Sequence, residues 1–147
     1  MATKDMFSKD RVSFDLKATS KDEAINELIQ ILYEDGKIID KEKFRQAVLK
    51  REEEFSTGIG MGIAIPHGKS NAVKEASIAF GRSNKGVDYE SMDDKPAHLF
   101  FLIAVPEESS DVNLKALSEI SRKLMNTETR ENLFKVESFE EFIKVFE

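Results

Sequence analysis

Apolar residues in the first third of the chain are spaced three and four positions apart, which is typical of amphipathic helices. Ser20 followed by Glu23 forms a capping box and predicts a helix start, and Gly36 predicts its end. A second helix is predicted to begin after Asp40 and to end near 51–53. The residues expected to face the core from the first helix are Ala24, Ile25, Leu28, Ile29 and Leu32.

Strands are predicted where apolar residues alternate with polar or small ones, or run without interruption. Short alternating stretches occur at 11–16, 60–65 and 75–83. The stretch "AHLFFLIAV", residues 97–105, carries apolar side chains at positions that would face both sides of a sheet. We therefore expect it to be a central strand that is covered on both faces.

Three more helices are predicted after this long strand. The first is capped within the Ser-Ser-Asp run at 109–111, the second opens at Thr127, and the third begins at Ser138 in another capping box. Strands and helices thus alternate, which predicts an α/β fold with a central mixed β-sheet flanked by helices on both faces. The length, without repeats or linkers, predicts a single domain over 1–147.

Composition excludes several classes of function. The chain has 28 acidic and 22 basic residues, a net charge of −6 and no basic block, which argues against binding nucleic acid. There is no cysteine, and the two histidines have no carboxylates at ligand spacing, so we expect neither a metal nor a cofactor. No apolar run approaches the roughly 20 residues of a membrane-spanning helix, and a signal core is absent, so we expect a cytoplasmic protein without direct membrane insertion.

The candidate chemistry lies in "GIGMGIAIPHGKS", residues 58–70, where larger apolar residues alternate with small ones. The larger residues expected to face the core are Ile59, Met61, Ile63 and Ile65. His67 follows a proline, whose fixed backbone angle limits where the ring can point. The backbone N–H groups of Gly68, Lys69 and Ser70 could together form an anion-binding nest. A neutral imidazole can attack phosphorus and form a phosphohistidine.

Two plainer interpretations of the same residues remain open. A single histidine after a strand is more often a surface or hydrogen-bonded structural residue, and a glycine-rich strand end is often a bulge or a packing site. The residue types alone therefore make His67 a candidate nucleophile or anion-site residue, and they do not name a reaction.

The segment "REEEFSTGIGMGIAIPHG", residues 51–68, resembles the active-site signature of enzyme IIA domains of the fructose/mannitol class. These domains belong to the bacterial phosphoenolpyruvate-dependent sugar phosphotransferase system. The resemblance extends to "FLIAVP" at 101–106, to the helix predicted after it and to the C-terminal "ESFEEFIKVF". It implies a phosphocarrier that accepts a phosphoryl group from phospho-HPr on His67. Enzyme IIB would then take the group during sugar uptake, and fructose is the preferred sugar type.

The resemblance also assigns further site residues. Arg51 stands where the family has an arginine beside the phosphohistidine, although by itself it could simply be a cation at a helix C-terminus. Asn113 stands where the family usually has a second histidine. It can donate a hydrogen bond to phosphate or orient His67, but it cannot become a cation near neutral pH. His98 begins the long strand, far from Asn113, and is expected to be structural.

A regulatory enzyme IIA-like module is the alternative function that the family implies. Such a module would signal its phosphorylation state by binding other proteins, and it would keep the same histidine, so His67 does not separate the two functions. In either case the docking surface should be an apolar patch around His67. Phe55, Ile59 and Met61 are candidates for it, with core burial expected for at least two of them.

Overall fold

A computed structural model of the protein describes residues 2–109 and 111–147, and within them it shows five α-helices and six β-strands. The helices are α1 (Lys21–Glu34), α2 (Lys41–Glu54), α3 (Val112–Leu124), α4 (Thr127–Lys135) and α5 (Phe139–Lys144). The strands are β1 (Val12–Ser13), β2 (Gly58–Gly60), β3 (Ile63–Ala64), β4 (His67–Ser70), β5 (Ser77–Val87) and β6 (Ala97–Pro106). None of the helices in these ranges is long and apolar enough to cross a membrane.

The strands form one mixed sheet with β6 at its centre. β5 pairs with one edge of β6 in the antiparallel sense, and β3 and β4 pair with the other edge in the parallel sense. β1 lies parallel beside β5, and β2 lies antiparallel beside β3. This arrangement confirms the predicted mixed sheet and the central position of the long apolar strand.

β3 and β4 follow one another along the same edge of β6. Ile63 pairs with Leu99 and His67 pairs with Ile103, so the register is unchanged and residues 63–70 form a single line. The line is broken at the two residues before His67, the second of which is a proline and has no N–H to donate to the sheet. His67 therefore begins a strand segment directly after a local break in pairing.

Helices cover both faces of the sheet, as predicted. α1 and α2 pack on one face, whereas α3, α4 and α5 pack on the other together with the first turn of the chain, Thr3–Met6. Large residues at the centre of the first face are Leu28, Leu32, Phe44 and Phe100, and those of the second face are Phe80, Phe101, Ile120 and Phe142. Both apolar faces of β6 are buried, which explains its uninterrupted apolar sequence.

The predicted helix starts are confirmed where a side chain makes the cap. Ser20, Asp40 and Ser138 each accept a hydrogen bond from the backbone N–H three residues later, at 3.0–3.2 Å. α3 begins differently, since Asp111 is its N-cap residue without a side-chain hydrogen bond to the helix. The candidate cap Ser110 lies outside the described residues.

The strand predicted over 60–65 is instead a tight hairpin. Met61 and Gly62 form its turn with φ of 59° and 79°, the left-handed values that a two-residue hairpin turn requires. Met61 is consequently 41% exposed, and the expectation that it faces the core is wrong. Ile63 and Ile65 are buried, as their alternation predicted.

The anion-binding nest predicted after His67 is not present. Residues 67–70 form an extended strand paired with β6, so their successive N–H groups point in alternate directions and do not converge. A Cβ on Gly68 would lie 3.0 Å from both Phe44 Cε1 and Val48 Cγ2, which belong to α2. Gly68 thus lets α2 approach the face of the sheet opposite to the His67 ring.

Adding a methyl group at this contact should destabilise the protein. For Gly68→Ala we expect a loss of about 1–3 kcal/mol in the free energy of unfolding, because the methyl would overpack the contact between α2 and β4. Lys69→Ala, at the exposed neighbouring position, should change the unfolding free energy by less than about 0.5 kcal/mol. Urea denaturation followed by circular dichroism measures both, and equal stability of the two variants would contradict the packing role.

Candidate active site

His67 opens into a cleft of about 180 Å³ between the C-terminal end of α2 and the side of α3. Among the described residues β4 pairs with β6 alone, so the chain that leaves α2 can pass round this edge and reach the opposite face. The cleft is lined by Arg51, Phe55, Ser56, Thr57, Ile59, Ile65, His67, Met92, Leu117 and Ser121. Most of these side chains are apolar or neutral, and Arg51 supplies a cation next to the imidazole.

The His67 ring is held in one tautomer. Its Nδ1 lies 2.9 Å from the carbonyl oxygen of Ile65. Because a carbonyl can only accept, Nδ1 carries the proton and donates it, which leaves the lone pair on Nε2. Pairing with Ile103, whose side chain belongs to the core beneath α3, directs the ring toward the α3 face, where the cleft lies.

Burial keeps this imidazole neutral. His67 is only 8% exposed, and the loss of water around it lowers its pKa below the ordinary value of 6.5. The positive charge of Arg51 lowers the pKa further, whereas the hydrogen bond to Ile65 and the charges of Glu52 and Glu54 raise it. The imidazole is therefore uncharged at neutral pH, the state in which a ring nitrogen can act as a nucleophile.

Arg51 lies in the last turn of α2 and lines the same cleft, so the two residues predicted as catalytic are brought together. Its Nη1 donates to the carbonyl oxygen of Phe55 at 2.9 Å, and its guanidinium stacks over the Phe55 ring with 4.9 Å to the centroid. Neither contact uses the full set of guanidinium donors, so N–H groups remain for an anion in the cleft.

The mouth of the cleft is apolar and exposed. Phe55 is 69% exposed and Met92 is 76% exposed, while Ile59 is half-buried. Together with the exposed Met61, these values show that the expected core burial of at least two of the three candidate docking residues is wrong. The chain places large apolar side chains beside a reactive nitrogen, an arrangement that suits a macromolecular partner.

The other candidate phosphate contacts are placed less favourably. Gly68 and Ser70 alternate with His67 along β4 and face α2, away from the cleft. Lys69 lies on the same side of the strand as His67 and is exposed. Asn113 lies in the first turn of α3, one turn before Leu117, and its buried Oδ1 has no hydrogen-bond partner among the described residues.

His98 does not line the cleft. Its Nδ1 is 2.9 Å from the carbonyl oxygen of Ser83, and its ring packs edge-on against Phe134 with 5.6 Å between centroids. These contacts agree with the structural role expected from its position at the start of β6. Within 2–109 and 111–147, no group of three or more His, Cys, Asp or Glu side chains is arranged to hold a metal ion.

Glu52 is a site residue that the sequence reasoning missed. It follows Phe44 and Val48 at intervals of four on the buried face of α2, and it is only 9% exposed. Its carboxylate binds Thr57, which lines the cleft. This spacing was the available signal. An acidic residue that continues the apolar face of a helix is expected to be buried and to have polar partners.

Comparison with known proteins gives consistent results. The profile of the family described as "Phosphoenolpyruvate-dependent sugar phosphotransferase system, EIIA 2" matches residues 5–147. A protein named PTS system fructose-specific EIIABC component, from Bacillus subtilis (strain 168), is 41% identical over 145 residues, which cover 99% of this chain and 23% of that protein. The chain therefore spans about a quarter of that relative.

Two further proteins match this chain over most of their own length as well. A PTS system fructose-specific EIIA component from Haloferax volcanii is 41% identical over 127 residues, covering 86% of this chain and 82% of that protein. The crystal structure of the nitrogen regulatory protein IIA-Ntr from Neisseria meningitidis superposes with a TM-score of 0.90 at 30% identity, and the match covers 98% of each chain.

The proximity of Arg51 to His67 can be tested by titration. Arg51→Ala should raise the pKa of His67, because it removes a cation that disfavours the protonated ring. Lys50→Ala, which removes an exposed cation one residue away, should leave that pKa unchanged. NMR titration of the imidazole resonances measures both variants. A His67 pKa in Arg51→Ala that is equal to or below that of the wild type would contradict the electrostatic interaction between Arg51 and His67.

Proposed function

Since the chain belongs to the EIIA 2 family of the phosphoenolpyruvate-dependent sugar phosphotransferase system, we propose that it is a phosphocarrier that is phosphorylated on His67. One observation carries this proposal. The Nδ1 proton of His67 is bound to the Ile65 carbonyl, so that Nε2 faces an arginine-containing cleft with its lone pair free. A nitrogen in this state needs no general base before it attacks phosphorus.

The transfer step follows from this tautomer. The Nε2 lone pair forms a bond to the phosphorus of phospho-HPr while the bond between that phosphorus and the donor nitrogen breaks and returns its electron pair to the donor. The proton on Nδ1 stays in place, and the positive charge that develops on the ring is stabilised by the Ile65 carbonyl. The reverse electron flow delivers the phosphoryl group to the next acceptor.

Arg51 supplies the charge stabilisation in this proposal. Its guanidinium exchanges the Phe55 carbonyl for the equatorial oxygens of the phosphoryl group, for which its planar fork is well suited. Lys69 adds a second cation on the same side of β4. Asn113 would give a supporting hydrogen bond from the start of α3, although it supplies no charge where the family usually has a histidine.

The partners follow from the mouth of the cleft and from the relatives. Phe55 and Met92 offer an exposed apolar rim on which HPr and enzyme IIB would dock in turn, and closure by either partner excludes water that would hydrolyse the phosphohistidine. The name of the Bacillus relative joins EIIA, EIIB and EIIC components in one chain. Enzyme IIB of a fructose-type permease is therefore the proposed acceptor, with residues 1–147 acting as one domain in the cytoplasm.

A regulatory role is the second candidate, and the structural similarity to IIA-Ntr supports it. Sequence identity favours the transport role, at 41% to the two fructose-specific proteins against 30% to the regulatory one. Both roles use the same phosphorylated histidine, so the chemistry proposed for the cleft is shared.

Phosphorylation of His67 can be tested directly. Incubation with phosphoenolpyruvate, enzyme I and HPr should add one acid-labile phosphoryl group, and His67→Ala should abolish it because the nucleophilic nitrogen is lost. His98→Ala is the matched control, since it removes a histidine outside the cleft, and it should still be labelled. Intact-protein mass spectrometry measures all three, and label retained in His67→Ala would rule out this acceptor.

The contribution of Arg51 is a separate test. Arg51→Ala should slow transfer from phospho-HPr by about 10²-fold, because a preorganised donor to the moving charge is removed. The transfer rate of Arg51→Lys should lie between those of the wild type and Arg51→Ala, because lysine keeps the positive charge but lacks the planar pair of donors of the guanidinium. Rapid-quench kinetics with labelled phospho-HPr gives the rates. A wild-type rate in Arg51→Ala would leave this residue with a structural role only.

A further inference from the structure

Glu52 is a buried carboxylate beside the cleft, although the next residue, Glu53, is exposed. A buried charge requires compensation by an opposite charge and by hydrogen bonds. Lys21 of α1 provides the charge, with Nζ 3.0 Å from Oε1, and the hydroxyl of Tyr89 donates to Oε2 at 3.2 Å. The carboxylate thus links α1, α2 and the segment after β5.

The same carboxylate accepts hydrogen bonds from both donors of Thr57, its backbone N–H and its hydroxyl. The backbone N–H of Thr57 donates to Oε1 at 3.0 Å, and its hydroxyl donates to Oε2. Two bonds from one residue to the two oxygens of one carboxylate fix both the position and the rotation of that residue. Thr57 is itself buried, so water does not compete for these bonds.

Two further hydrogen bonds connect Thr57 to the imidazole. The carbonyl oxygen of Thr57 accepts from the N–H of Ile65 at 3.0 Å, and the carbonyl oxygen of Ile65 accepts from Nδ1 of His67 at 2.9 Å. Ile65 lies in the break between β3 and β4, outside the pairing with β6. Its backbone is therefore held through Thr57 at the point where the sheet does not hold it.

We propose that Glu52 is a positioning residue for His67. By fixing Thr57 it fixes the Ile65 carbonyl, which selects the Nδ1–H tautomer and directs Nε2 into the cleft. Glu52 also anchors the last turn of α2, where Arg51 is the preceding residue. The catalytic meaning of this inference rests on the proposed function, but the tautomer of His67 can be measured without any phosphoryl transfer.

The site requires a carboxylate rather than a neutral isostere. The N–H and hydroxyl of Thr57, the hydroxyl of Tyr89 and the ammonium of Lys21 all bring hydrogens to the same two oxygens. Burial raises the pKa of Tyr89 well above its usual value, so that hydroxyl keeps its proton. Glutamine at position 52 would turn an N–H₂ group toward these donors, and the Thr57 bonds would be lost or rearranged.

The test uses protein labelled with ¹⁵N in its histidine rings. In the wild type, His67 should give the spectrum of a single Nδ1–H tautomer. In Glu52→Gln it should give a mixture of the two tautomers and a lower pKa, since a nearby negative charge is removed. Glu53→Gln, with the same charge change at an exposed position, should match the wild type, and His98 serves as an internal reference in every spectrum.

A second pair of variants covers the case in which Glu52→Gln does not fold. Thr57→Val keeps the shape of the side chain and removes its hydroxyl, so it should also produce mixed tautomers. Thr57→Ser restores the hydroxyl and should restore the single tautomer. A pure Nδ1–H tautomer in folded Glu52→Gln, or in Thr57→Val, overturns the proposal.

Transfer rates separate this inference from the proposed function. If His67 is the phosphoryl acceptor and Glu52 positions it, Glu52→Gln should be phosphorylated about tenfold more slowly or worse, because misplacement of a reacting atom is costly. If no variant, including the wild type, is phosphorylated, the proposed function fails, while the tautomer spectra still decide whether Glu52 positions the ring. Mixed tautomers with an unchanged rate would contradict the link to catalysis.

Discussion

The hydrogen bond from His67 Nδ1 to the Ile65 carbonyl is the contact on which the proposed phosphoryl transfer depends. The proline before His67 has no N–H to donate to β6, although its carbonyl oxygen accepts from the N–H of Ile103 at 3.0 Å. The carbonyl of Ile65, which takes no part in the pairing with β6, is the acceptor for the ring. A backbone group outside the sheet pairing thereby fixes the tautomer of the proposed phosphoryl acceptor.

The position of β4 on the edge of β6 determines what can surround that ring. The His67 side chain points to the α3 face, yet Arg51 comes from α2, which packs on the other face. Arg51 reaches the cleft from the last turn of α2, and the residues after α2 pass round the edge and bring Phe55 and Thr57 to it. The site is therefore assembled from both layers of helices, and no single layer contains it.

Small residues occupy the positions in "GIGMGIAIPHGKS" for different structural reasons. Gly62 allows the left-handed turn between β2 and β3. Gly58 and Gly68 make room for close neighbours, since a Cβ would lie 2.6 Å from Ser91 Oγ at the first and 3.0 Å from Phe44 at the second. Gly58 thus admits the segment around Ser91, whereas Gly68 admits α2 beside the strand that carries His67.

Sequence pattern alone determined the class of the fold, most of the helix starts, the central strand and the candidacy of His67, because these follow from local periodicity, capping residues and a distinctive motif. It did not determine the hairpin at Met61. The alternation of large and small residues over so few positions is the same in one continuous strand as in two short strands joined by a tight turn. The sequence reasoning also missed Glu52: the spacing after Phe44 and Val48 indicates burial, but the partners Lys21 and Tyr89 are distant in sequence. Only the tertiary structure brings those groups together, and hydrogen bonds between distant segments leave no periodic signal in the chain.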